Sequence, residues 1–156
     1  MSLDGRGRAV YKGEKYGYTQ DDSFINLTDS EGNVTSLRYL LDKDRNEMTL
    51  YESSTYQYSG DSSPKGVVGA WSQSNNWTFQ FNEDGKFCED NIFYGYYSVD
   101  EEASTIKLMY DEPLQDALLY YQLNGNELTI DYPWTLVPLT KKDTAVVETG
   151  TEKKGN

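Results

Sequence analysis

Large apolar residues recur at every second position through most of the chain. Trp77, Phe79 and Phe81 alternate with Thr78 and Gln80, Ile106, Leu108 and Tyr110 with Lys107 and Met109, and Leu128 and Ile130 with Thr129 and Asp131. A period of two puts each apolar set on one face of an extended strand, whereas a helix needs apolar residues three and four apart. The runs are separated by Asn82-Glu83-Asp84-Gly85, Asp100-Glu101-Glu102 and Asn124-Gly125-Asn126. Asp-Gly and Asn-Gly tolerate the left-handed backbone of tight hairpins, so consecutive strands pair as antiparallel neighbours. The chain is predicted to be all-β, an antiparallel up-and-down meander. Such a sheet leaves edges that must be covered, and closing into a small β-barrel removes them.

The pattern divides the chain. Residues 67–140 are predicted to form eight strands, near 69–72, 77–81, 86–89, 94–99, 105–110, 117–123, 127–131 and 135–140. Residues 1–60 yield six, near 8–12, 15–20, 23–28, 34–41, 47–52 and 55–59. Asp61-Ser62-Ser63-Pro64-Lys65-Gly66 is small, polar and broken by Pro and Gly, as a linker is. Residues 141–156 lack aromatic side chains and read as a solvated polar tail.

The two parts also repeat. Asp4-Gly5 aligns with Asp84-Gly85, Tyr16-Gly17-Tyr18 with Tyr94-Gly95-Tyr96, and Ile25-Asn26-Leu27 with Ile106-Lys107-Leu108. Leu37, Tyr39 and Leu41 align with Ala117, Leu119 and Tyr121, and Met48-Thr49-Leu50 with Leu128-Thr129-Ile130, at an offset of 80. A nearly constant offset over five segments reads as a tandem duplication. In that register, counterparts of the Trp71 and Trp77 strands would precede residue 1, so the first unit is expected to lack its first two strands. Met1-Ser2-Leu3 directly before Asp4-Gly5 reads as an engineered start cut from a longer chain. Edges exposed by that truncation are expected to join the second unit's sheet or to pair with another copy of the chain.

Gly69-Ala70-Trp71, then Trp77 through Gly85, then Tyr94-Gly95-Tyr96-Tyr97-Ser98-Val99-Asp100 together resemble the lipocalin-like domains of bacterial secreted and surface proteins. The resemblance covers about residues 67–140, and the first unit from its Asp-Gly turn onward. It implies a small meander barrel opened by the Gly-x-Trp strand, and an exported or cell-envelope location. The basic residue that often packs across that Trp in lipocalins has no counterpart, because residues 67–140 carry only Lys86 and Lys107 as basic side chains.

Composition excludes most chemistry. The 156 residues include no His and one Cys, which removes Ser-His-Asp and Cys-His nucleophilic centres and nearly every zinc, copper or haem site. A net charge of -12 repels phosphate backbones and anionic lipid, so nucleic acid is not an expected partner. The chain has no apolar stretch of 18 residues, so no membrane insertion through a helix is expected. No cofactor is expected. Fourteen Tyr and three Trp supply core volume together with polar tips.

Candidate sites each have a plainer reading. Glu83-Asp84, Glu89-Asp90, Asp100-Glu101-Glu102 and Asp111-Glu112 include the residue type of a glycosidase acid pair, but nearly all fall in predicted turns. Asp42-Lys43-Asp44-Arg45-Asn46 opens like a calcium loop, yet Glu47 and Ser53 stand where that loop needs Gly and Glu, so it reads as a hairpin turn. Cys88 has Glu89 and Asp90 beside it, and nearby negative charge disfavours the thiolate that nucleophilic chemistry uses, so it is read as passive. The Asn-x-Thr triplets at Asn26, Asn33 and Asn76 fit a glycosylation pattern too short to weigh. Tyr132-Pro133-Trp134 stands out, because Pro interrupts a ladder and leaves both rings free to line a barrel rim. No catalytic, cofactor or metal residue is assigned, and ligand-binding residues stay unassigned. The expected function is a non-catalytic exported or cell-surface module that binds a small ligand, glycan or protein. The alternatives are a structural spacer or stalk and, third, a carboxylate-based glycoside hydrolase.

Overall fold

The computed structural model describes residues 1–138, with side chains through Trp134. The expected tail 141–156 and the end of the expected 135–140 strand lie outside the described residues. The described chain is all-β. Its strands in order are β1 (Ser2–Leu3), β2 (Arg8–Tyr11), β3 (Glu14–Gln20), β4 (Phe24–Thr28), β5 (Val34–Asp42), β6 (Glu47–Tyr58) and β7 (Gly69–Ser72). They continue with β8 (Thr78–Phe81), β9 (Lys86–Glu89), β10 (Phe93–Asp100), β11 (Thr105–Tyr110), β12 (Ala117–Asn124) and β13 (Glu127–Pro138). Two compact units result, Met1–Leu50 and Tyr51–Trp134, with residues 135–138 grouped with the first.

The second unit is a closed barrel of eight antiparallel strands, β6 to β13. Sequence neighbours pair from β7 through β13, β13 pairs with β6, and β6 closes the ring on β7 through Gln57↔Ser72 and Tyr58↔Trp71. Along the β6–β13 seam, Thr55 and Thr129 hydroxyls meet at 3.0 Å and Gln57 donates to Glu127 at 2.9 Å. This corrects the expected boundaries. The barrel's eighth strand is the second half of β6, which the sequence pattern assigns to residues 1–60. The expected strand 127–131 and the described part of 135–140, residues 135–138, are one strand, and so are 47–52 and 55–59. Pro133 does not break β13, because the ladder to β12 ends at Tyr120↔Asp131 and demands no N–H beyond it.

Alternation sends Trp71, Phe79, Phe81, Phe87, Ile106, Leu108, Leu119, Leu128 and Ile130 inward, where each is at most 2% exposed. Burying each stabilises the fold by about 2–3 kcal/mol. The rings interlock, Phe79 stacking on Phe81 at 5.5 Å and Phe81 meeting Tyr97 edge-on at 4.9 Å. Trp71 donates from Nε1 to the Val67 carbonyl at 2.7 Å, so the buried indole N–H is satisfied. Val67 is itself buried, so the chain after the expected linker helps fill one end of the barrel. The ring across Trp71 is Tyr58, at 5.1 Å. Gly69 of the Gly-x-Trp motif makes room for it, since a Cβ there would lie 2.4 Å from the Tyr58 ring.

The first unit is a meander ordered β1-β2-β3-β4-β5-β6, with Glu47–Leu50 of β6 as its last strand. β1 is an addition to the expected set and pairs with β2 through Leu3↔Ala9. Ala9, Ile25, Leu27, Leu37, Tyr39, Met48 and Leu50 form its core, with Tyr16 and Tyr18 packed against them. The Asp42-to-Asn46 stretch is a turn, in which Asp42 Oδ1 accepts from the Asp44 and Arg45 amides.

Hydrogen-bond registers recur between the units. Tyr18 N donates to Gly7 O at 2.8 Å, and Tyr97 N to Gly85 O at 2.8 Å. Tyr39 N donates to Ser23 O as Tyr121 N does to Ser104 O. Ile25↔Leu37 and Tyr39↔Leu50 match Ile106↔Leu119 and Tyr121↔Ile130. By register, Gly7 corresponds to Gly85, Tyr18 to Tyr97, Leu37 to Leu119 and Tyr39 to Tyr121. The sequence alignment is therefore one residue out at Tyr18/Tyr96 and two out at Asp4-Gly5/Asp84-Gly85 and at Leu37/Ala117. A one-residue slip turns a side chain to the opposite face. Tyr16 and Tyr18 accordingly pack on their core, while Tyr94 and Tyr96 face outward and are more than half exposed.

Gly95 is the most crowded glycine of the barrel. A Cβ there would lie 2.1 Å from the Met109 carbonyl oxygen and 2.9 Å from the Tyr110 Cα, both backbone atoms that yield only if β10 and β11 separate. Gly95→Ala is expected to cost about 2 kcal/mol or more by denaturant unfolding. An unchanged midpoint would show that this close approach is absent in solution.

Candidate functional site

One mouth of the barrel is built from inward-facing residues at strand ends. Trp77 immediately precedes β8 and is held by a turn in which Trp77 N donates to Asn75 Oδ1 at 3.1 Å. Glu89 ends β9 opposite Phe79. Tyr110 ends β11, and Tyr132 and Trp134 lie near the end of β13. Phe87 and Tyr110 are the two register partners of Gly95, and their rings meet edge-on at 5.1 Å over the position where it has no side chain. The glycine that draws β10 to β11 thus also sets Tyr110 over the mouth.

Tyr110 Oη donates to Glu89 Oε2, and Tyr110 Oη and Tyr132 Oη are 2.9 Å apart. A phenol has one proton, so with Glu89 ionised Tyr132 donates to Tyr110 and keeps its own lone pairs open. Burial pushes the Glu89 carboxyl above its usual range; the Tyr110 bond opposes this in part, and the charge of Asp90 adds to it. The hydroxyls of Tyr56, Tyr110 and Tyr132 are raised as well, chiefly by burial, and stay protonated. No buried side-chain oxygen or nitrogen among the described residues lacks a partner. Tyr110 bonds Oε2 of Glu89, and Glu89 is also one of the residues lining the adjacent cavity.

That cavity measures about 70 Å³ and is lined by Glu52, Ser54, Tyr56, Trp77, Phe79, Glu89, Ile130, Tyr132 and Trp134. Trp77 and Trp134 form its rim, 45% and 58% exposed, with ring centroids 6.4 Å apart. Below it the interior is filled by the core side chains, so there is no deep calyx. The volume is roughly twice the ~30 Å³ of a water molecule and takes a group of a few heavy atoms.

Of the carboxylates singled out in sequence, only Glu89 is at this mouth. Asp90 turns away and accepts from Thr78 N at 2.7 Å, Asp84 accepts from Lys86 N, and Asp100 from Ala103 N. Asp111 and Glu112 fall in the loop after β11. Of the two rings expected at the rim, Trp134 is exposed there, whereas Tyr132 is half-buried with its hydroxyl against Tyr110. Glu52 and Ser54 went unnoticed because their strand was assigned elsewhere; their signal was the inward alternation Glu52, Ser54, Tyr56, Tyr58. Cys88 lies on the outer wall, across from Tyr94. Two wider concavities hold less promise. One of about 500 Å³ in the first unit includes Asp4 and Arg8, already paired with each other, and one of about 440 Å³ is an open groove on the outer wall by Lys86, Cys88 and Tyr96.

Comparison with protein-family models, with curated proteins and with solved structures finds no match to this chain. The mouth is therefore judged by its own chemistry. Its groups are rings, two half-buried carboxyls, Glu52 and Glu89, and hydroxyl oxygens, with no cationic side chain among the lining residues.

Because the folded state raises the Glu89 pKa above 4.5, it binds more protons than the unfolded chain between the two values, and stability falls as pH rises through that window. Glu89→Gln keeps an acceptor for Tyr110 and removes the charge. Its midpoint should exceed the wild type's at pH 8, and the difference should vanish below pH 4.5; a difference that grows toward acid would contradict this. Tyr110→Phe leaves Glu89 without its donor and is expected to cost about 1–3 kcal/mol.

Proposed function

We propose that this chain is a non-catalytic, exported or cell-surface module whose second unit binds, at the mouth of its barrel, a small ligand or the protruding end of a larger one. The observation that carries this reading is a carboxyl, Glu89, held by Tyr110 beneath a rim of two exposed Trp rings, with Glu52 lining the same cavity. Exposed aromatic surface is costly to leave in water, and a barrel needing only a plug would not place an ionisable group under it. The location rests on the resemblance of Gly69-Ala70-Trp71 and the strands after it to lipocalin-like domains of bacterial surface proteins. The shared registers of the two units support descent from one duplicated ribbon. The lipocalin-like kinship is read with a difference, since the interior is filled and the site is a shallow mouth.

The filled core also favours a second reading, a structural spacer. A hydrolase gains one point, because Glu52 and Glu89 line the same cavity, and loses more, because about 70 Å³ has no room for a sugar ring between them. Fragment screening by ¹H–¹⁵N NMR separates the two leading readings. The binding module predicts shifts clustered on Trp77, Glu89, Tyr132 and Trp134, abolished in Trp77→Ala/Trp134→Ala. A screen with no cluster at the mouth would leave the spacer.

A further inference from the structure

We infer that the mouth is an ammonium site, taking the alkylammonium group of a small amine or of a lysine side chain. The inference rests on the binding reading above and names its ligand chemistry. Five of the nine lining residues are aromatic: Tyr56, Trp77, Phe79, Tyr132 and Trp134. Ring faces carry partial negative charge and attract a cation, most strongly when it is Trp and when water is partly excluded. Trp77 and Trp134, inclined at 34° with centroids 6.4 Å apart, are too close to sandwich a flat ring between them but flank an entrance over which a positive head can settle.

The polar groups point the same way. They are oxygens: the carboxyls of Glu89 and Glu52, the Tyr132 hydroxyl, which donates to Tyr110 when Glu89 is ionised, and Ser54. An anion or a carbonyl ligand would meet acceptors and no cationic donor. An ammonium meets a counter-charge, acceptors and aromatic walls together. The acidic surroundings add a field of the right sign, since residues 67–140 hold 12 acidic and 2 basic side chains. The cavity's volume of about 70 Å³ suits a compact head of a few heavy atoms, such as a methylated ammonium.

The test uses the full chain and the indole N–H signals of its three Trp. Trp71, bonded to Val67 O in the core, is the internal control and should not move. Choline, N-acetyl-lysine amide and its trimethylated form are titrated at constant ionic strength against 3,3-dimethylbutan-1-ol, the neutral isostere of choline. Saturable shifts of Trp77 and Trp134 with the amines, at least tenfold weaker with the alcohol and tenfold weakened in Glu89→Gln, are expected. Preference for choline over the lysine derivatives identifies a free amine as the source, and the reverse identifies a protein side chain. Equal binding of choline and the alcohol overturns the ammonium assignment and leaves the mouth an apolar site. No amine shift, with other fragments still shifting the mouth, overturns it too while the binding reading stands. No shift with anything overturns both.

Discussion

The barrel exists because β6 turns back onto β7. Two register pairs, Gln57↔Ser72 and Tyr58↔Trp71, join the first and last strands of an eight-strand ribbon and remove both of its edges. Everything inward depends on that seam. With the ring open, Trp71 and the phenylalanines beside it would face water on one side. With it closed, Tyr58 covers Trp71 in the space left by Gly69, and the core packs without a calyx. Closure also carries Glu52 and Ser54, from β6, to the same mouth as Glu89 and Trp134, from β9 and β13.

The mouth is where the pattern that builds the core meets solvent. Inward alternation continues past the last fully buried ring on several strands, so the final inward positions, Trp77, Glu89, Tyr110, Tyr132 and Trp134, converge there. A carboxyl at such a position is disfavoured by desolvation unless something offsets it. Here the offset is the Tyr132-to-Tyr110-to-Glu89 chain of hydroxyls, on a carboxyl that also lines the cavity. Gly95 supports it from behind, because only a residue without a side chain lets β10 approach the backbone that carries Tyr110.

Fold class was legible because period-two alternation and Asp-Gly or Asn-Gly turns act within a few residues, as in Trp77–Phe81 followed by Asp84-Gly85. Strand continuity was not. Gaps read at Ser53-Ser54 and at Pro133 are bridged because small polar residues are welcome on a barrel wall and because Pro133 lies past the end of the ladder to β12. The eighth strand stayed hidden for the same reason, since which strand closes a ring is a long-range choice that local pattern does not encode. The Tyr-Gly-Tyr resemblance misled by one residue because both registers place aromatics around a glycine, and only the backbone bonds from Tyr18 to Gly7 and from Tyr97 to Gly85 distinguish inward from outward. At the site, Tyr132-Pro133-Trp134 stood out in the sequence, although β13 runs on through the proline. Glu89 looked like one of a turn's solvated acids, and only its parity with Phe87 on β9 marked it as facing inward.

The central claim is that barrel closure holds the Glu89 carboxyl, half-buried, among the rings of the mouth. It is tested most directly by following the Glu89 side-chain carbon by ¹³C NMR across a pH titration. The account predicts a midpoint above the ordinary 4.5 of a glutamate, displaced further upward when Tyr110 is replaced by Phe. A midpoint at or below 4.5, unmoved by that replacement, would mean that Glu89 is a solvated surface acid and that the site does not exist.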